Sequence, residues 1–155
     1  MPDSPSGAVS PTPATGAPSA GHGGLAPWPG PAPADLADGS LVVSATSPRA
    51  GVVVARAIGE IDLLTAPGWR WVLAAAVRML GSGSARGSRL VCDLSPVTFL
   101  GASGLDVLVD LAEQCGQAGV DLRVVAGNRR VSRVLRLSTL DRHLAVDDRI
   151  ERAVG

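Results

Sequence analysis

The chain has 155 residues, 46% of them apolar, which is enough for one domain with a real hydrophobic core. Fourteen arginines balance 14 acidic residues and lysine is absent, so there is no overall electrostatic case for nucleic acid or an anionic membrane. Aromatics are only 3%, which leaves few platforms for stacking on bases or sugars, and no apolar run approaches the ~18 residues of a membrane helix.

In chain order, residues 1–38 hold nine of the 12 prolines, together with Gly, Ala and Ser. Such a segment cannot bury enough surface to offset its ordering entropy, so a disordered tail is expected over 1–38 and a folded domain over 39–155. Trp28, between Pro27 and Pro29, is read as a short docking motif or as a tail residue without a role. No basic stretch followed by an apolar one opens the chain, so a cytoplasmic location is expected.

From Leu41 the pattern changes to β-branched runs. Leu41–Ala45 and Val52–Ile58 flank Ser47-Pro48-Arg49-Ala50-Gly51, the signature of an antiparallel hairpin. Gly59-Glu60-Ile61-Asp62 closes the second strand, and Thr65 is the expected N-cap of a helix with Pro67 in its first turn. Trp69, Val72, Leu73, Ala76, Val77 and Leu80 then recur at helical spacing on one stripe. Trp71 falls off that stripe and is read as a partner anchor or as a ring lying on a neighbouring loop. The run Gly81–Gly87 follows a helix and lacks a Lys-Ser/Thr ending, so it is a flexible connection and not a phosphate loop.

Arg89–Leu94 reads as a buried strand. Cys92 within it, and Cys115 on the apolar face of the next helix, are expected to be buried and reduced. The stretch Val97–Leu105 is a junction where an apolar run meets Gly101-Ala102-Ser103-Gly104 and a helix begins. Ser103 and Asp106 have the spacing of a capping box, and a hydroxyl at a helix N-terminus also stands where anionic phosphate is favoured. Leu105, Leu108, Leu111, Ala112 and Cys115 mark the buried face of that helix, with Gly116 and Gly119 ending it.

Leu122–Ala126 is a further strand, completing a β-α-β unit. Asn128 caps a helix with Val131, Val134 and Leu135 inward and Arg129, Arg130, Arg133 and Arg136 outward. Leu140–Val146 returns toward the sheet, and Asp147-Asp148 is the expected cap of a last helix to Val154. His143 has no second His or carboxylate at ligand spacing, so no metal or other cofactor is expected. An enzyme using Ser103 as nucleophile is disfavoured, because Leu105 stands where the Gly-x-Ser-x-Gly elbow needs glycine. The expected class is therefore α/β, a mixed sheet of four to five strands with helices mainly on one face.

The strand ending at Gly59-Glu60-Ile61-Asp62-Leu63, the Leu90–Ser95 strand and Val97–Leu100 before Ser103-Gly104-Leu105, in this order, resemble the sulfate transporter and anti-sigma factor antagonist (STAS) domain in its stand-alone bacterial form. The resemblance covers about residues 41–154. It implies a non-enzymatic transcription regulator of the stress-response type. The unphosphorylated antagonist would bind an anti-sigma factor that is also a serine kinase and so free the sigma factor. Phosphorylation at Ser103 would end the binding, and a metal-dependent, PP2C-type phosphatase would restore it. The resemblance places the contact surface on Asp62, Asp93, Gly101, Ala102, Ser103 and Gly104, with Trp71 as an outlying candidate. The family usually carries an acidic and a hydroxyl residue where this chain has Gly101 and Ala102. The alternative the resemblance allows is a STAS module of a lipid-transport or sensory assembly that is never phosphorylated. Neither reading involves direct contact with nucleic acid or a membrane span.

Overall fold

The computed structural model describes residues 35–36, 39–83 and 87–155. Its elements in chain order are β1 (Asp35–Leu36), β2 (Leu41–Arg49), β3 (Val52–Ile61), α1 (Ala66–Gly81), β4 (Arg89–Asp93), β5 (Val97–Leu100), α2 (Ala102–Ala118), β6 (Asp121–Val125), α3 (Arg129–Leu137), a single 3-10 turn at Leu140–Arg142, β7 (Ala145–Asp147) and α4 (Ile150–Val154). The strands form one mixed sheet in the order β1-β2-β3-β4-β6-β7. Pairings of β1 with β2 and of β2 with β3 are antiparallel, and the others are parallel.

Strand β3 organises this sheet because two strands share one of its sides. Val52–Arg56 pair with β4, and Gly59–Ile61 pair with β5. The register shifts between Gly59 and Glu60, where Gly59 has φ +115°. A Cβ at Gly59 would lie 2.1 Å from the Ser40 carbonyl oxygen, so only glycine allows β2 to approach here.

Alternation along β3 builds two cores of unequal size. Val53, Ala55 and Ala57 face α1, α2 and α3, where Trp69, Leu73, Leu108, Leu111 and Leu135 are buried with them. Full burial of each such leucine contributes roughly 1.5–3 kcal/mol. Val52 and Val54 face the opposite way and pack with Val91, Val125 and Ala153 of α4. The expected α/β class, with helices mainly on one face, is thus observed. Its strand count rises from four or five to seven because β1 and β7 are two and three residues long, too short to leave a periodicity.

Strand β1, at Asp35–Leu36, falls within the segment read as a tail, and the rest of that segment, with Trp28, lies outside the described residues. Two local expectations are corrected. Helix α2 runs through Gly116 and stops at Gly119, whose φ of +68° provides the left-handed C-cap. Helix α4 starts after Arg149 without a side-chain cap, because the Asp148 carboxylate instead meets Arg152 one turn on, at 2.9 Å.

Asn128 caps α3 as expected, with its Oδ1 accepting from Val131 N at 2.9 Å, and it also donates to the carbonyls of Ser95 and Val97. It therefore ties α3 to the turn between β4 and β5. Asn128→Ala is expected to lower stability by about 1 kcal/mol or somewhat more, measurable by urea unfolding. Cys92 and Cys115 are both buried and free. Burial raises the Cys115 thiol to about 11 and the Cys92 thiol higher still. Both are expected to resist a thiol reagent at neutral pH until the chain is unfolded, which titration with and without denaturant checks.

Candidate functional site

The site begins at the last residue of β3. Ile61 is fully buried, and its carbonyl accepts from Gly101 N at 2.9 Å, holding the start of α2 against the strand end. Gly101, extended at φ −85° and ψ 177°, is the N-cap of α2, and its carbonyl accepts from the N–H groups of Gly104 and Leu105. The helix thus starts earlier than the capping box requires. Ser103 is the second residue of α2 and not its cap, so the Ser103–Asp106 box is overturned. Replacing an acidic N-cap by glycine costs only a few tenths of a kcal/mol, which explains how the turn forms without a side-chain cap.

Ser103 is half-buried, and its hydroxyl makes no hydrogen bond within the described residues. It sits in the first helical turn, where backbone N–H groups are free of helical partners and the dipole favours negative charge. That turn carries no acidic side chain. Gly104 beside it is buried. A Cβ there would lie 2.6 Å from Leu100 Cδ1 and 2.8 Å from Ile61 Cγ2. Gly104 is therefore a packing residue that sets the height of Ser103, while Ala102 is exposed.

Asp62 follows Ile61 directly and organises the opposite lip. Its Oδ1 accepts from Leu64 N at 2.9 Å and Thr65 N at 3.0 Å, and its own N–H donates to Thr65 Oγ1. The Thr65 amide, followed by the Leu64 amide, holds the Asp62 carboxyl below its ordinary value of 3.8. A carboxylate whose value is depressed on folding contributes stability above the unfolded value and loses it as pH falls through the folded one. Asp62→Ala is accordingly expected to lower stability at neutral pH, with the difference from wild type shrinking below pH 3.8, as thermal melts across that range would report. Thr65 is the N-cap of α1 as expected, but its hydroxyl donates to Glu60 O and so leaves the capping of this turn to Asp62.

This turn projects Leu63 and Leu64 into solvent, 78% and 76% exposed, and Phe99 of β5 is 51% exposed with its ring against Gly101. These three apolar side chains rim the site and were not among the expected residues. Leu63-Leu64 carried a signal, an apolar pair between a strand end and a helix cap that fits neither period. Phe99 did not, because strict alternation puts it on the buried face with Val97. In the structure Val97 and Leu100 are buried instead, opposite the irregularity in β3.

Two expected residues stand apart. Asp93 is 3% exposed; it lies opposite Arg56 on the sheet face covered by α4, meets that guanidinium at 3.6 Å and accepts from Ser95 N. It shapes the β4–β5 turn from within and is not brought to the surface with Ser103. Trp71 is 52% exposed on α1, next to Arg70, which bridges to Asp110 of α2.

The STAS domain family model matches residues 45–153. The chain belongs to the STAS domain family. Among relatives, anti-sigma-F factor antagonist RsfB of Mycobacterium tuberculosis is 40% identical over 93 residues, 59% of this chain and 70% of that protein. The crystal structure of an anti-sigma factor antagonist from Mycobacterium paratuberculosis superimposes with a TM-score of 0.65 at 30% identity, over 76% of this chain and 94% of that one. The Bacillus cell fate determinant SpoIIAA, solved in its phosphorylated form, shares the fold at 15% identity, with a TM-score of 0.54 over 72% of this chain and 96% of that one. In this STAS domain, no helix of the described residues is long and apolar enough to cross a membrane.

Proposed function

We propose that this STAS domain is an anti-sigma factor antagonist whose binding surface is the lip formed by Asp62, Leu63, Leu64, Phe99, Gly101, Ala102 and Ser103. Its partner is an anti-sigma factor that is also a serine kinase, and binding frees the sigma factor. Phosphorylation of Ser103 ends the complex, and a PP2C-type phosphatase restores it. Trp71, exposed on α1 apart from this lip, is a secondary contact.

The observation that supports this most is the pairing of an unbonded Ser103 hydroxyl in the first turn of α2 with an exposed apolar rim. An apolar rim favours a dry contact with a partner. A phosphate brings about −1.5 to −2 charges and would make that contact costly, while the helix terminus tolerates the charge within the domain itself. The switch therefore changes a surface without requiring a change of fold.

The test is incubation with an anti-sigma factor kinase from the same cell and ATP, followed by intact-mass measurement. One phosphate is expected on the wild-type chain and none on Ser103→Ala, with the wild-type complex dissociating as the mass rises. A chain that binds its partner and never gains phosphate would instead be a constitutive module, and the switch would be withdrawn.

A further inference from the structure

Helix α3 carries a charged face that the fold does not use. At about 100° per residue, Arg136, Arg129, Arg133, Leu137 and Arg130 follow one another in that order across an arc of roughly 120°, opposite the buried Val131 and Leu135. All four arginines are exposed, and Leu137 among them is 73% exposed. Elsewhere Arg56, Arg70, Arg89, Arg123 and Arg152 each meet a carboxylate. Among the described residues the four guanidiniums of α3 meet none and donate no hydrogen bond, and Asp141, the nearest acidic residue along the chain, pairs with none of them. Arg129 and Arg133 stand one turn apart, as do Arg130 and Arg133, so like charges repel along the helix and work against its stability.

This face is joined to the lip through β5. Arg129 and Arg130 border a cleft with Ser95, Pro96 and Thr98, and Thr98 directly precedes Phe99 of the lip rim. A protein seated on the apolar rim can therefore reach across β5 onto α3, in the usual arrangement of a dry centre with a charged border. Other polyanions suit the face less well. The chain's charges balance overall, so no wider positive field would hold a duplex, and phosphates cannot use Leu137. A bilayer would find only that one apolar side chain, because Val131 and Leu135 are buried in the core.

We infer that the outer face of α3 is a second docking surface, taking an acidic segment of the anti-sigma factor with an apolar side chain against Leu137, an inference that rests on the antagonist reading of the lip. Complementary charge at a border mainly speeds association, whereas the lip holds the complex together. Phosphorylation at Ser103 would then release a partner that α3 still helps to recapture once the phosphate is removed.

The test is the rate of association of the full chain with an anti-sigma factor from the same cell, at low and high NaCl. Arg129→Gln, Arg130→Gln, Arg133→Gln and Arg136→Gln combined should slow association by about tenfold or more at low salt, and the difference should close at high salt. The melting temperature should stay within a few degrees, since these side chains make no bond within the domain. Leu137→Ala should speed dissociation severalfold and leave the salt dependence of association as it is. A glutamine variant that associates like wild type at low salt, while Ser103→Asp still abolishes binding, would overturn this inference alone. So would a variant that keeps its rate toward the anti-sigma factor but loses wild-type binding to random duplex DNA or phosphatidylglycerol vesicles. A wild-type chain that binds no anti-sigma factor would overturn the antagonist reading and this inference with it.

Discussion

Ser103→Asp is expected to weaken anti-sigma factor binding by about a hundredfold or more while leaving the melting temperature within a few degrees of wild type. The two halves of this result have different causes. Within the domain, the carboxylate enters the first turn of α2, which carries no acidic side chain and has unpaired N–H groups, so its effect on the helix is neutral or favourable by about 0.3–1 kcal/mol. At the proposed interface, the same charge joins a surface that exposes Leu63, Leu64 and Phe99, and it must lose its water when the partner docks. A desolvation penalty of ~3 kcal/mol is enough for the hundredfold loss. Ser103→Ala adds no charge and should bind nearly as well as wild type. Calorimetric titration of the three forms against one partner decides the matter: equal affinities for the aspartate and alanine forms would refute an electrostatic switch.

Gly104→Ala is expected to cost about 1–3 kcal/mol in stability, and to weaken partner binding although residue 104 is buried. The added methyl would meet Leu100 and Ile61 at distances that ordinary Cβ contacts do not reach. The Leu100 tip can rotate away. Ile61 cannot, because its offending atom is on a β-branched side chain fully buried at the end of β3. The first turn of α2 must therefore rise from the sheet, carrying Ser103 away from the Asp62 lip. Denaturant unfolding and partner titration should both shift. A variant with wild-type stability would show that this turn has more room than the packing indicates.

The sequence carried the elements whose side chains answer to a single period. The α1 stripe from Trp69 to Leu80 is buried residue for residue, and the Asn128 cap bonds Val131 as its spacing implied. Features that depend on how two segments meet were harder to read. Ser103 has the spacing of a cap, but Gly101 begins the helix because its N–H is held by Ile61 O, a contact between residues forty positions apart in the chain. Asp93 sits at a strand end like Asp62, yet the pleat turns it to the α4 face and Arg56. The strand-end position was legible for both aspartates, whereas the face each presents follows from register. Phe99 was hidden for the same reason, since a shift in the neighbouring strand cancels its alternation.

The turn after Ile61 keeps its shape through the Asp62 carboxylate and the Leu64 and Thr65 amides, with no help from the side chains of Leu63 and Leu64. In the proposed complex those two residues would act as an address label, one that can be rewritten without refolding the envelope. A cell carrying several antagonists of this architecture could keep its signalling circuits insulated by varying this pair alone, and a designer could build orthogonal switches the same way.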